Sequence, residues 1–218
     1  RSGTFFMFEG LGSIYWHMIA KLMLAVGECR SRAVAEGADA DVLEGLLHAY
    51  EDIRAGLGYR KTPAEYGAFP TDPYSHSPAH RGAQQPGMTG QVKEEILSRW
   101  SELGIEVEDG TLRFAPRQLS VDEFHGEPHR FKYVSPRGME EAWDLPADSI
   151  GITFCQTPVC YRLADAAGIT VEYADGSAAR VDGNALSTED SASLFVRDGR
   201  IARLTVDVRK SDPRANPR

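Results

Sequence analysis

The residues of this chain best suited to chemistry lie between Ala68 and Gly90. There AFPTDPYSHSPAHRGAQQPGMTG gathers Asp72, Tyr74, His76, His80, Arg81, Gln84, Gln85 and Thr89 among Pro70, Pro73, Pro78 and Pro86. Imidazole, guanidinium, amide and hydroxyl groups donate hydrogen bonds to an anion or a sugar hydroxyl. The segment has almost no aliphatic side chain and cannot build a core. A long stretch without regular structure inside a compact domain is usually functional or disordered, and this one reads as an ordered binding loop. His76 and His80 have the i, i+4 spacing of a helical metal pair, but Pro73 and Pro78 exclude a regular helix there. With no cysteine nearby and Asp72 the near carboxylate, no metal is expected.

Two further groups flank that loop. His17 lies at the start of an apolar helical run; such a histidine is ordinarily a satisfied core residue. A helix N-terminus nonetheless gathers anions through free N–H groups and the macrodipole, so His17 is a candidate to share a phosphate or a sugar hydroxyl. Thr89-Gly90 opens the next helix: Thr89 can cap it, and Gly90 lets a ligand approach the backbone amides. Glu9, in FFMFEGLG, is a carboxylate in apolar surroundings, but a single carboxylate makes no glycosidase pair. Gly10 and Gly12 form no dinucleotide fingerprint, and no serine or cysteine nucleophile motif is present.

The elements that must position these groups divide the chain into two halves. In the first, SIYWHMIAKLMLAVGE has apolar residues on nearly every face, which predicts a buried helix capped by Ser13. A second helix should begin near Asp39 or Asp41, carry Val42, Leu43, Leu46, Leu47, Tyr50 and Ile53 inward, and stop at Gly56 or Gly58. A third should run from Thr89 to Leu103 with Val92, Ile96, Leu97, Trp100 and Leu103 inward and Gly104 at its end. A buried helix beside a half-exposed one is the pattern of helical-hairpin toroids.

The second half reads as β. LRF, RFKYV, IGITFC, VCYRL, ITVEYA, ARV, SLFV and IARLTVDV are short runs rich in β-branched and aromatic residues. Asp175-Gly176 and Asp198-Gly199 each read as a hairpin turn. Such runs suggest a β-sandwich. The fold class expected is therefore α+β: a helical part over residues 1–108, a β-sandwich over 109–210 and a fraying polar tail over 211–218, with the border near Glu108-Asp109-Gly110.

Composition narrows the function classes. A formal net charge of -8 and a pI near 5.3 argue against a nucleic-acid partner. No apolar run has the length of a membrane span. Cys29, Cys155 and Cys160 have no zinc spacing and no even pairing, which fits a reducing, cytoplasmic location. The chain opens at Arg1 on the apolar GTFFMF without a secretory n-region and reads as a piece of a longer protein.

The order of these motifs resembles the C-terminal part of cellobiose-phosphorylase-type enzymes, inverting disaccharide phosphorylases built on an (α/α)6 six-hairpin toroid. Ile14-Tyr15-Trp16-His17 resembles an inner-helix segment whose histidine helps hold phosphate. Asp72-Pro73-Tyr74-Ser75 resembles an acidic-Pro-Tyr segment of the long loop that follows. Thr89-Gly90 resembles the phosphate-contacting Thr-Gly of the last toroid helix. Leu103-Gly104-Ile105 and Asp109-Gly110-Thr111-Leu112-Arg113-Phe114-Ala115-Pro116 resemble the segment leading into the terminal β-domain. Gln84 or Gln85 matches a phosphate-contacting glutamine. The stretch Pro78–Gly87 departs from the family in lacking the aromatic residues usual before the Thr-Gly.

The resemblance implies a C-terminal piece of a carbohydrate-active enzyme that cleaves glycosidic bonds with inversion, by phosphorolysis or hydrolysis. Its partners would be an oligosaccharide or disaccharide and inorganic phosphate, with no cofactor; large enzymes of this type are often homodimers. His17, Asp72, Tyr74, His76, His80, Arg81, Gln85, Thr89 and Gly90 are the phosphate- or substrate-binding candidates. The catalytic acid matches nothing here and is expected outside the chain. The rival reading is a non-catalytic carbohydrate-binding or interaction module. A third is a metal-dependent enzyme using His76, His80, His125 or His129.

Overall fold

The computed structural model describes residues 16–57, 92–116 and 118–210. The chain divides into two compact units between Arg99 and Trp100. It is a mixed α+β protein whose sheets are all open.

In the first unit, α1 (Trp16–Ala35) and α2 (Ala40–Gly56) pack as a helical hairpin. Helix α1 ends in a Schellman motif: Gly37 N–H donates to Val34 O and Ala38 N–H to Ala33 O, which satisfies carbonyls that the helix leaves open. Asp39 then stands at the N-cap position of α2, where the sequence places the start, and its carbonyl accepts from Leu43 N–H. The α2 face of Leu43, Leu46, Leu47, Tyr50 and Ile53 turns inward, with Tyr50 fully buried; Val42 is exposed. Helix α1 differs from expectation. Only the stripe through Ala20, Met23 and Gly27 is buried, while Met18 is 59% and Leu22 48% exposed. Pairing with one helix covers one stripe, and the apolar residues on the other faces of α1 remain outside it.

Helix α3 (Val92–Glu102) also departs from its sequence reading. Its expected inward residues Ile96, Leu97 and Trp100 are each more than two-fifths exposed, while Glu94, Ser98 and Glu102, at i, i+4, i+8, are buried. Leu103 is buried in the core of the second unit, and Gly104 turns the chain in the left-handed region at φ +64. A Cβ on Gly104 would overlap the backbone of Ala115 and Pro116, because Ala115 N–H donates to Gly104 O at 2.7 Å.

The second unit is built around a five-stranded sheet. The strands are β1 (Ile105–Glu108), β2 (Thr111–Phe114), β3 (His129–Val134), β4 (Glu140–Leu145), β5 (Ser149–Phe154), β6 (Thr157–Ala164), β7 (Gly168–Tyr173), β8 (Ala178–Val181) and β9 (Ile201–Arg209). The large sheet has the order β5-β6-β9-β7-β8, with β9 parallel to β6 and antiparallel to β7. β1–β2 and β3–β4 are separate two-stranded ribbons. Asp109-Gly110, read from sequence as the domain border, is the turn joining β1 to β2. Asp175-Gly176 lies in the β7–β8 turn, as its composition predicts.

The core lies on one face of the large sheet. Ile169, Val171, Val159, Tyr161, Leu204, Val206 and Val208 pack there with Leu112 and Phe114 of β2 and Leu194 of α4 (Thr188–Val196). Tyr161 spans this core and donates its hydroxyl to Leu103 O at 2.8 Å, so the one polar atom it brings inside is satisfied.

Helix α4 overturns two sequence expectations. SLFV is helical rather than a strand, and Asp198-Gly199 follows a helix C-cap at Arg197 (φ 57) rather than joining two strands. The deciding signal is Ser187, whose hydroxyl accepts from Asp190 N–H at 3.0 Å, with Glu189 and Asp190 in the first turn. Ser191 of this helix accepts from Leu112 N–H at 3.0 Å and fastens α4 to β2. Strand β4 was not read from sequence, because Glu140, Glu141 and Asp144 hide the alternation of Trp143 and Leu145.

Gly104→Ala should therefore destabilise the protein by about 3 kcal/mol or more, through left-handed strain and backbone overlap together. Gly110→Ala, at φ +75 but with open space around it, should cost only about 1 kcal/mol. Urea unfolding of the two variants checks the contrast; equal losses would place the Gly104 constraint elsewhere.

Candidate functional site

Of the residues singled out for phosphate or substrate, Asp72, Tyr74, His76, His80, Arg81, Gln85, Thr89 and Gly90 lie outside the described residues. His17 is described by its backbone alone, in the first described turn of α1. Helix α3 is described from Val92, two residues past Gly90. One turn into it, Glu94 is 4% exposed and Ser98 1%, on the same face. Glu94 Oε2 and Ser98 Oγ are buried without a hydrogen-bond partner among the described residues. By sequence Glu94 is one of two acidic residues in the first turn of α3, where the helix dipole favours negative charge. A buried carboxylate without a donor is costly, and such groups call for a specific explanation.

His125 and His129 do come together, with ring centroids 4.3 Å apart and planes inclined by 36°. No group of three or more metal-ligating side chains occurs among the described residues. No helix among them is long and apolar enough to cross a membrane.

The second unit carries a constellation that the sequence reading passed over. On the sheet face away from the core, alternate positions bring Arg162, Asp207, Thr170, Arg180, Glu172 and Arg203 together. Asp207, 5% exposed in its side chain, is held by two arginines: Arg162 Nε and Nη2 donate to Oδ1 at 2.9 and 2.7 Å, and Arg180 Nη1 donates to Oδ2 at 2.5 Å. Arg180 also donates to Thr170 Oγ1 at 3.0 Å. To reach Asp207 it lies across Gly168, where any Cβ would overlap the guanidinium. Both oxygens of Asp207 are thereby committed, which is what permits a carboxylate to be buried.

The β3–β4 ribbon lies over another part of this face. Phe131 and Leu145 sit on Gly151, where a Cβ would come within 2.6 Å of the Phe131 ring. Phe131 and Tyr133 stack at 5.6 Å. Arg203 lies over the Trp143 ring, 5.1 Å from its centroid, and its Nε donates to Glu172 Oε2 at 2.6 Å. Tyr133 donates to Glu141 Oε2 at 3.0 Å. Burial first, and the Glu141 carboxylate second, push the Tyr133 hydroxyl above its usual range and keep it a donor. Between ribbon, sheet and the β7–β8 turn runs a groove of about 690 Å³.

Behind the same turn, Arg200 joins Glu189 and Asp190 of α4 and lies over the Tyr173 ring at 5.5 Å. Tyr173 donates to Asp190, and burial followed by that carboxylate raises its pKa. This network ties α4 to the start of β9. The signal that would have revealed the polar face is period-two alternation: in IARLTVDV, Arg203, Thr205 and Asp207 alternate with Leu204, Val206 and Val208.

No protein-family model matches the chain, and no curated protein matches it significantly.

Cys160 closes the description of this face. It is 1% exposed, and burial pushes its thiol from 9.0 up to about 11. A raised pKa favours the neutral thiol in the folded state, so its contribution to stability is full below pH 9.0 and is lost as pH rises from there through about 11. Thiol labelling at neutral pH should modify exposed Cys29 quickly and leave Cys160 unmodified until the protein unfolds. Equal labelling rates for the two would contradict the burial described.

Proposed function

We propose that this chain is the C-terminal part of a carbohydrate-active enzyme that cleaves a glycosidic bond with inversion, by phosphorolysis, and that it holds the phosphate and sugar rather than the catalytic acid. The observation that carries the reading is the start of α3. Thr89-Gly90 precedes it, and within it Glu94 Oε2 and Ser98 Oγ are buried with no hydrogen-bond partner among the described residues. A sugar hydroxyl would satisfy both: it donates to the carboxylate and accepts from the serine. The free amides of the helix N-terminus and the Thr89 hydroxyl suit phosphate.

The architecture proposed is a helical-hairpin toroid followed by a layered β-domain. The α1–α2 hairpin supports it, and exposed Met18 and Leu22 give α1 the second apolar face that a neighbouring hairpin would cover. The β3–β4 ribbon laid on the large sheet supports the layered β part.

In this mechanism an acid outside this chain protonates the glycosidic oxygen. Phosphate attacks the anomeric carbon from the opposite face, in place of the water that an inverting hydrolase activates with a second carboxylate. His17, Arg81, Gln85 and the Thr89-Gly90 helix start hold and orient the phosphate. Asp72, Tyr74, His76 and His80 line the sugar side of the loop. Such positioning lowers the barrier by fixing the attack geometry.

The intact protein, given disaccharides with and without inorganic phosphate, should release a sugar 1-phosphate of inverted anomeric configuration only when phosphate is present. His17→Ala and Thr89→Ala should each raise KM for phosphate by about 10-fold or more with little change in melting temperature. Glu94→Gln should raise KM for the sugar instead. Phosphate-independent cleavage would make the protein a hydrolase, and unchanged phosphate kinetics in both alanine variants would remove the phosphate role.

A further inference from the structure

The groove on the polar face of the large sheet is not used by that reading. It is formed entirely by the second unit. Its floor comes from Thr170 and Glu172 of β7 and Arg203 of β9, its walls from Tyr133 and Glu141 of the ribbon and from Tyr173 at the β7–β8 turn.

The hydrogen-bonding capacity left in this groove is specific. Glu172 accepts from Arg203 through Oε2, leaving Oε1 without a hydrogen-bond partner among the described residues. Glu141 accepts from Tyr133 through Oε2 and is likewise left with Oε1. Arg203 commits Nε to Glu172, and its two terminal nitrogens have no acceptor among the described residues. The groove thus presents acceptors from two carboxylates beside a planar donor fork, each held in place by its second contact. The Trp143 ring beneath Arg203 and the Tyr133–Glu141 bond fix these orientations before any ligand arrives.

The charge balance selects the ligand class. The ionised side chains lining the groove are Arg137, Arg203, Glu141 and Glu172, two of each sign. An anion would meet two carboxylates and a cation two guanidiniums. A neutral ligand whose adjacent groups each donate and accept meets neither penalty. Vicinal hydroxyls have that character: one donates to a glutamate oxygen while its neighbour accepts from the arginine fork. The Tyr133 ring provides amphipathic surface for the C–H face of a pyranose. The volume, about 690 Å³, lies within the range of small-molecule sites, about 300–1,000 Å³.

We propose that this groove, lined by Tyr133, Glu141, Thr170, Glu172, Tyr173 and Arg203, is a binding site for a neutral oligosaccharide. It does not depend on the phosphorolysis reading and stands if that reading fails.

Titration of the intact protein with neutral tetrasaccharides of glucose and xylose, without phosphate, tests it. The probes are cellotetraose, maltotetraose and xylotetraose, with tetragalacturonate as the anionic comparison. At least one neutral probe should saturate the protein and shift the Trp143 indole N–H resonance, assigned from Trp143→Phe. Arg203→Lys and Glu172→Gln should each weaken that binding by about 10-fold or more, while His17→Ala and Thr89→Ala should leave the Trp143 shift intact. Glu172→Gln is isosteric, and its near-UV circular dichroism verifies the fold. The proposal is overturned by neutral probes that all bind more weakly than about 10 mM, by binding of tetragalacturonate alone, or by saturation that leaves Trp143 unmoved. Full affinity in a folded Glu172→Gln variant would overturn it as well.

Discussion

The second unit depends on the alternation of one strand. β9 lies in the middle of the large sheet, parallel to β6 and antiparallel to β7, and each of its sides serves a different purpose. Leu204, Val206 and Val208 enter the core, and Arg203 and Asp207 face the other way. A slip of one residue would exchange the two sets, placing Asp207 in the hydrocarbon and Val206 among the arginines. Register here is therefore enforced from both faces at once, by apolar burial and by charges that find partners only on the outer side. The same register sets Arg203 beside Glu172 and over the Trp143 ring, so the geometry of the groove follows from the packing of the core.

The outer face is not uniform. Around Asp207 the charges are spent on one another: both carboxylate oxygens are occupied and Gly168 is kept clear so that Arg180 can reach. That arrangement makes burial of the aspartate tolerable, and it leaves Asp207 little to offer a ligand. Around Glu172 and Arg203 the pairing uses one oxygen and one nitrogen only. Two ion pairs on the same sheet thus have different consequences. One locks the face, and the other orients groups whose remaining valences point into open space.

What could be read from the sequence follows how local the deciding physics is. Helix α2 was legible at both ends, because the Asp39 cap and the Gly56 stop are signals within a few residues of the boundaries they set. The β7–β8 turn at Asp175-Gly176 was legible for the same reason. SLFV looked like a strand because its three large apolar residues outweighed Ser187, which lies seven positions before Leu194 in the helix that the serine caps. β4 was missed because acidic residues fill the outward positions that a strand face leaves to solvent. The rotation of α3 could not be read from its own pattern. Its apolar stripe runs through Ile96, Trp100 and Leu103, of which Leu103 alone is buried, while Glu94, Ser98 and Glu102 line the buried face.

The two units hold polar groups in opposite states of satisfaction. In α3, Glu94 Oε2 and Ser98 Oγ are withdrawn from water with no hydrogen-bond partner among the described residues, a condition that is rare in native proteins. In the groove the groups are half-paired and open to water, so an empty site costs little and a ligand gains by displacing solvent from preset positions. The first arrangement suits a site closed around its substrate, where chemistry needs water excluded. The second suits reversible holding of a neutral chain that enters and leaves. A protein that acts on one bond of a saccharide while retaining another part of it would need both.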